Sequence, residues 1–434
     1  MSVDSLPLDL GDGLILRRAT AADGDALIAF TSVIFPEYAR ATAASVADLL
    51  GTREPHPTAS VDTFMLVEES ASGTIVSSLC VIPQTWNYDG VQVPTTLIEN
   101  VGTLPEYRGR GLVRKQFEIV NGWCAERGIL VQAIAGIPWY YRQFGFEYAM
   151  RTGMVYTATR SRLPKLEGEE PLRVRRAVPE DAAFIAELDA TNRHRWAVTN
   201  VRDEAYWRYE IAGRNPDSDA YVHVQMLERH DGTPVGYFAY ADLAGDPSWI
   251  VSFELTGSVS WLEAVPVVLR HLKEVADRRD EEPEEVFTLL ELGVDHPSYA
   301  ALPDVLTACE KAFSMYIRLN DIPAFLTKIA PVLERRLAES VAHGYSGELP
   351  INLYRTGLKL TFDAGRLVSV ETERMEATVG ASLPDLVALQ LFFGYRSLAE
   401  LDAWYPDCRI RTNEARVLLD ALFPKKPTFV WPLW

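Results

Sequence analysis

A short segment near the start of the chain returns in its middle. Leu14-Ile15-Leu16-Arg17-Arg18-Ala19-Thr20-Ala21-Ala22-Asp23 lines up with Leu172-Arg173-Val174-Arg175-Arg176-Ala177-Val178-Pro179-Glu180-Asp181. Each copy reads as a strand, a turn with a Thr/Asp-type or Pro helix start, and an amphipathic helix. Arg160 to Pro171, charged and punctuated by Pro164, Gly168 and Pro171, reads as a linker ahead of the second copy. With 434 residues and about 150 per domain, two to four domains are expected. Two copies of one αβ architecture and a third segment are the economical reading; chance recurrence of a common strand–helix start is the alternative.

Within the first copy, Thr63–Val67 and Ile75–Ile82 read as strands joined at Ser72-Gly73, and Asp89-Gly90 reads as a hairpin tip leading into Thr95–Val101. After Gly111 the apolar period changes. Val113, Phe117, Val120 and Cys124 fall on one helical face, Gly128 supplies the stop, and Ile129–Ile134 reads as the next strand. In the second unit Val286–Leu290 is a strand. In the third, Ile351–Tyr354, the turn Asp363-Ala364-Gly365 and a helical Leu383–Leu391 precede an aromatic, proline-bearing terminus, Phe423–Trp434, that reads as held in place.

The 42 Lys+Arg against 60 Asp+Glu leave a net charge of −18. A broad nucleic-acid-gripping face is not expected, and a cationic small molecule suits such a surface better. Cys80, Cys124, Cys309 and Cys408 are scattered and the seven histidines dispersed, so neither a disulfide framework nor a metal site is expected. With no leader-like start and no apolar run of about 20 residues, no membrane association is expected. The expectation is a reduced, soluble, cytoplasmic protein.

The segment richest in chemistry is Val101-Gly102-Thr103-Leu104-Pro105-Glu106-Tyr107-Arg108-Gly109-Arg110-Gly111-Leu112-Val113-Arg114. A strand runs into a Gly/Arg loop and then a helix start. Glycines allow close approach of backbone, the helix start offers unpaired N–H groups, and its dipole favours an anion. Arg108, Arg110, Arg114 and Lys115 concentrate positive charge in an acidic chain. A surface turn with solvated arginines is the plainer reading. Neither a G-x-x-x-x-G-K-[ST] loop nor a G-x-G-x-x-G dinucleotide spacing is present.

Arg108–Gly111 resembles the acyl-CoA loop [RQ]-x-x-G-x-[GA] of GCN5-related N-acetyltransferases, with Val113 departing at a position normally small. Tyr140-Tyr141-Arg142-Gln143-Phe144-Gly145-Phe146 resembles that family's Y-x-x-F-G-F segment, whose tyrosine serves as general acid. Spacing to the motif selects Tyr141. Taken as a whole the chain resembles the Eis-type (enhanced intracellular survival) acetyltransferases. Phe253–Gly257, followed by Ser258-Val259-Ser260-Trp261, resembles a second unit without the loop; Met315–Pro323 resembles the segment joining second and third domains, and Ser382–Leu401 the C-terminal helical stretch.

The fold that this resemblance implies is α/β (α+β). It comprises two GCN5-related acetyltransferase-like domains with mixed central sheets, residues 1–160 (catalytic) and 161–318 (degenerate), and a sterol-carrier-protein-2-like α/β domain, residues 319–434. The implied activity is an acetyl-CoA-dependent N-acetyltransferase with a small-molecule primary amine (aminoglycoside, polyamine) or peptide lysine as acceptor, acting in a ternary complex, and a homo-oligomer is among the assemblies the resemblance implies. Acetyl-CoA would lie on Val101, Gly102, Thr103 and Arg108 through Arg114, with backbone N–H groups near Val101 and Thr103 polarising the thioester carbonyl. Tyr141 would be the acid, either acting as thiolate charge develops or carrying a lowered pKa. The base is left between the α-carboxylate of Trp434, as the family implies, and Glu99. Glu37 and Tyr38 are candidates for the acceptor cleft. The competing reading is a non-catalytic acyl-CoA or lipid-binding protein.

Overall fold

A computed structural model describes residues 6–151, 153–242, 247–279, 284–311, 314–374 and 380–431. In the first unit the strands are β1 (Leu8–Gly11), β2 (Leu14–Arg18), β3 (Phe64–Glu69), β4 (Ile75–Tyr88), β5 (Val91–Thr103), β6 (Val131–Ile134) and β7 (Glu147–Arg151). β1 through β5 form an antiparallel meander, and β5 turns parallel to β6. The β4–β5 hairpin closes at Asp89 and Gly90, both with positive φ (47° and 101°), as a two-residue turn requires. Both strands run well past the apolar stretches that mark them in the sequence. Their extension alternates polar residues with Trp86, Tyr88 and Val93, which are buried against the third unit, and Val198–Asn200 of the second unit pairs antiparallel to Trp86–Tyr88.

Helices α1 (Gly24–Ile34) and α2 (Ala39–Leu49) form an antiparallel pair, and α3 (Leu112–Glu126) lies on the sheet. α3 buries Phe117, Val120 and Cys124, the stripe seen in the sequence, together with Leu112, Ile119 and Trp123. Gly128 follows its end with φ 65°, as a left-handed stop should.

The second unit repeats the plan. Arg173–Arg176, the helix Ala182–Asn192, three antiparallel strands (His223–Glu228, Pro234–Ala241, Ser248–Leu255), the helix Trp261–Arg279 and the parallel-paired strand Val286–Leu290 follow in the same order. The repeat extends to its ion pairs. Arg17 holds Asp23 (2.7 Å) and Glu68 (2.5 Å), while Arg175 holds Asp181 (2.7 Å) and Glu228 (2.7 Å). In each copy the aspartate also accepts a backbone N–H at the helix start, from Thr20 or Val178.

The sheets do not divide the chain at residues 160 and 318. Strand β8 (Met154–Thr159) lies in the second sheet, between Leu306–Lys311 and Val286–Leu290. Ser314–Leu319, which overlaps the Met315–Pro323 segment read as joining the second and third domains, lies in the first sheet between β6 and β7. Each unit therefore lends a strand to the other. The physical reason is edge satisfaction: without residues 314–319, β6 and β7 would face each other across a one-strand gap with unpaired backbone groups.

The third unit has five strands (Gly347–Asn352, Gly357–Asp363, Arg366–Glu373, Ala381–Ser382, Arg409–Ile410) packed with helices. Its core is continuous with one face of the first sheet: Trp86, Tyr88 and Val93 join Phe325, Leu333 and Phe392 in a single cluster. The terminal segment is anchored through residue 431, as Ala197 N–H donates to Pro427 O (2.7 Å) and Phe429 N–H to Val198 O (2.9 Å). Among the described residues no helix is long and apolar enough to cross a membrane, and no group of three or more His, Cys, Asp or Glu could hold a metal.

Candidate active site

β5 and β6 pair only over Thr95–Leu97 and Val131–Ala133. Beyond Leu97, β5 continues to Thr103 while β6 stops at Ile134, so the two strands part. A bulge exaggerates the opening: the β4–β5 register slips between Gly102 and Glu99, and Asn100 takes φ 53°. A bulge of this kind frees backbone groups from the ladder and redirects side chains. A cleft of about 770 Å³ occupies the opening, walled by Val101, Gly102 and Thr103 on one side and Tyr140, Tyr141 and Phe144 on the other.

The Gly/Arg loop forms its base. Gly109 and Gly111 hold φ of 77° and 75°, conformations costly for any other residue type, and they deliver the unpaired N–H groups at the start of α3 to the cleft. Arg108 Nε donates to Thr103 O (3.1 Å), and Arg114 Nη2 donates to Gln143 Oε1 (2.9 Å) with its guanidinium 5.1 Å from the Phe144 ring centroid. Both line the cleft, and among the described residues neither has a carboxylate partner. Leu112 and Val113 line it too. Two of the four cations counted in the sequence point elsewhere. Arg110 donates to Glu106 O (3.4 Å) and covers the Tyr107 ring, whereas Lys115 pairs with Glu118 (2.9 Å). Gly102 is needed for space, because a Cβ there would come within 2.9 Å of Ile34 Cγ2.

Tyr141 is buried among rings. Tyr140, Tyr316, Phe117 and Phe146 lie at 5.1, 5.7, 6.2 and 6.3 Å between centroids, all edge-on. Burial first, and the Glu99 carboxylate second, push its pKa up. Of the two alternatives open for Tyr141, the site does not supply a lowered pKa, because the ring sits in an apolar nest beside an acid. Gly136 makes room for the ring: a Cβ there would lie 2.7 Å from Tyr141 Cε2. Nothing in the sequence near Gly136 signals this contact.

Glu99 faces a second, smaller pocket of about 190 Å³, shared with Phe35, Tyr38, Thr42, Ser45 and Asp219. Phe35 lines both cavities. Glu99 Oε1 is buried without a hydrogen-bond partner among the described residues. Burial and then Asp219 raise its pKa well above the ordinary carboxylate range. Asp219 arrives from the second unit on a loop pinned to α2. Ser45 donates to it, Ser45 and Ser218 hydroxyls meet at 2.7 Å, and Asn215 N–H donates to Asp48 at 3.1 Å. Sequence reasoning missed Asp219, since no local motif marks a loop that acts across a unit boundary. Tyr38 lines the pocket; Glu37 is exposed and outside its lining. Trp434 lies outside the described residues.

The equivalent place in the second unit is closed. Glu254, on the strand matching β5, is paired with Arg195, and Trp196, Arg202, His296 and Phe429 fill the space around it.

Residues 16–149 match the profile of a family described as an acetyltransferase (GNAT) domain. That span holds the parted strands, the Gly/Arg loop and both tyrosines. Over this part, under a third of its length, the chain is similar to a GNAT acetyltransferase domain. No curated protein matches the chain in sequence. Solved structures extend the likeness. A conserved protein of unknown function from Enterococcus faecalis V583, a probable N-acyltransferase, aligns at TM-score 0.70 and 15% identity over 96% of this chain and 98% of its own. Eis1 from Mycobacterium abscessus aligns at TM-score 0.61 and 16% identity, over 96% and 99%. An N-myristoyltransferase from Saccharomyces cerevisiae with bound myristoyl-CoA aligns at TM-score 0.50 and 11% identity, over 74% and 86%. At these identities the likeness is one of fold: a mixed α/β architecture shared along nearly the whole chain.

Proposed function

We propose that the chain is an N-acetyltransferase that moves the acetyl group of acetyl-CoA to a primary amine of a small cationic acceptor. The observation carrying this reading is the junction of two cavities at Phe35. One cavity is cradle-based, with Tyr141 in its wall; the other is acidic and lined by Glu99 and Asp219.

Acetyl-CoA would supply the activated thioester, and the residues present fit it. The N–H groups at the start of α3, with Arg108 and Arg114, suit its diphosphate. Backbone N–H groups of β5 near Val101 and Thr103, beyond the bulge, suit the pantetheine and polarise the carbonyl. Tyr141 O–H donates toward the sulfur position. A phenol near 10 facing a thiol near 8.5 is modestly uphill, and burial of Tyr141 widens the gap, so its proton moves only as negative charge builds. Glu99 and Asp219 hold the ammonium group and accept its proton through water. An ordinary carboxylate lies about 6 units below an ammonium, or roughly 8 kcal/mol, and the raised Glu99 pKa narrows that difference. Glu99, buried in the acidic pocket, is the base in this reading, and the α-carboxylate of Trp434 is the other candidate.

Thiol release from acetyl-CoA against a panel of polyamine, aminoglycoside and lysine-peptide acceptors tests the reading. Tyr141→Phe and Glu99→Gln are expected to lower kcat by about 100-fold or more while leaving acetyl-CoA affinity within about twofold. Acetyl-CoA binding without release against any amine would instead favour the binding-protein reading.

A further inference from the structure

A third cavity, of about 370 Å³, lies where the three units meet. Arg151 enters from the end of β7 and Asp295 from the second unit, while Arg396, Lys425 and Lys426 enter from the third. It shares no lining residue with the acyl-CoA cleft or the acidic pocket. The charge around it runs against the rest of the chain, whose net charge is −18.

The cations outnumber the carboxylates available to them. Glu400 is divided between Lys425 (2.7 Å) and Arg396 (3.5 Å). Asp89 is divided among Lys426 (3.0 Å), Arg336 (2.8 Å) and Arg335 (3.5 Å). Arg151 spends its guanidinium on Gly153 O (3.2 Å) and Met154 Sδ (3.2 Å), and no carboxylate is within ion-pair distance of it among the described residues. Asp295 lines the cavity with its carboxylate engaged by none of these cations. With two carboxylates shared among these cations, Lys425 and Lys426, 51% and 40% exposed, keep positive charge free to meet a ligand. Here the mismatch surrounds a space large enough for a small molecule, with hydroxyl groups of Ser314 and Thr428 also on its wall.

We propose that this cavity is a binding site for a small polyanion bearing two or more phosphate or carboxylate groups. Arg151 meets one end of the ligand, and Arg396, Lys425 and Lys426 meet the other. The ligand then bridges the first sheet to the third unit. Arg151 pairs with Ser314, two residues before Tyr316 on the same strand, and the Tyr316 ring edges on Tyr141. Occupancy therefore steadies the strand that backs the proposed acid.

The test is calorimetric titration of the full chain with pyrophosphate and, separately, with citrate. Each titration is repeated on Arg114→Gln, which weakens an anion held in the cradle but not one held here. Saturable binding of either is expected, pyrophosphate alone identifying a phosphate site and citrate alone a carboxylate site. Arg151→Gln and Lys425→Gln should each weaken it about tenfold or more. Lys425 is half-exposed, so its variant decides the matter if Arg151→Gln fails to fold. Absence of saturable binding by the unmodified chain, or binding that survives both substitutions, would overturn the proposal.

Discussion

The contact between Gly136 and Tyr141 allows the role of the tyrosine to be tested without touching it. Gly136 lacks a left-handed φ, so alanine fits its backbone and the substitution reduces to one added methyl group. That methyl would lie 2.7 Å from Tyr141 Cε2, against an ordinary separation of about 3.5–4.0 Å, so the ring must yield by about 1 Å. Four neighbouring rings oppose this movement. Overpacking of this kind costs about 1–3 kcal/mol in stability, and a displacement of about 1 Å at a reacting group costs about 100-fold in rate. Gly136→Ala should therefore lower kcat for thiol release by roughly two orders of magnitude, with a modest fall in Tm and little change in acetyl-CoA affinity. The double variant Gly136→Ala/Tyr141→Phe should be no slower than Tyr141→Phe alone, since both act through one hydroxyl. If Gly136→Ala kept kcat within twofold of the parent, or if the two losses multiplied in the double variant, the placement of Tyr141 at the reacting atoms would be refuted.

Arg114→Gln should raise the KM for acetyl-CoA by about 10- to 100-fold with kcat nearly unchanged, because it removes a charged hydrogen-bond donor from binding alone; steady-state kinetics at two salt concentrations checks it. Glu210 and Arg214 form an ion pair whose side chains are both 0% exposed, beside the loop that carries Asp219. Glu210→Ala should cost about 3–5 kcal/mol by stranding a buried guanidinium, measurable in urea unfolding, whereas a double replacement by apolar residues of similar volume should cost less. His56 and His296 are held neutral, each with its pKa lowered to about 3, by burial first and then by Arg214 and Arg195 respectively. The unfolded chain takes up these protons below about 6.5 and the folded chain does not, so stability should fall as pH drops from 6.5 toward 3. At pH 4 the loss is about 3 kcal/mol for each histidine. Unfolding free energies measured across that range should show a shallower slope in His296→Gln.

What the sequence made legible was local. The Val101–Arg114 run names its own structure because glycine, arginine and a change of apolar period fall within one strand–loop–helix unit. The Arg17 and Arg175 copies are recognisable because arginine and aspartate recur six residues apart in each, whereas their glutamate partners Glu68 and Glu228 lie 51 and 53 residues away and carry no local mark. Less was visible where direction or distance in sequence mattered. Arg110 and Lys115 lie in the same charged run as Arg108 and Arg114, yet composition does not say which side chains turn away from the cleft. The outer ends of β4 and β5 alternate polar residues with Trp86, Tyr88 and Val93, whose burial depends on the third unit, and the outer edge at Trp86–Tyr88 pairs with Val198–Asn200. Asp219, Gly136 and the strand exchange depend on contacts between residues far apart along the chain. The pKa direction of Tyr141 follows from the nest of rings around it, which no motif encodes.

The exchange of strands has a consequence for how this molecule is made. A fragment ending near residue 160 carries every residue of the acyl-CoA cleft, yet it lacks Ser314–Leu319, leaving β6 and β7 about two strand spacings, or roughly 9.6 Å, apart. It also lacks Tyr316 behind Tyr141, and Asp219. During synthesis the first unit must wait, incomplete, until the second has emerged from the ribosome. Catalytic competence is thus a property of the assembled chain, and dissecting it into separate modules should yield parts that cannot be mixed back into a working whole without restoring both borrowed strands.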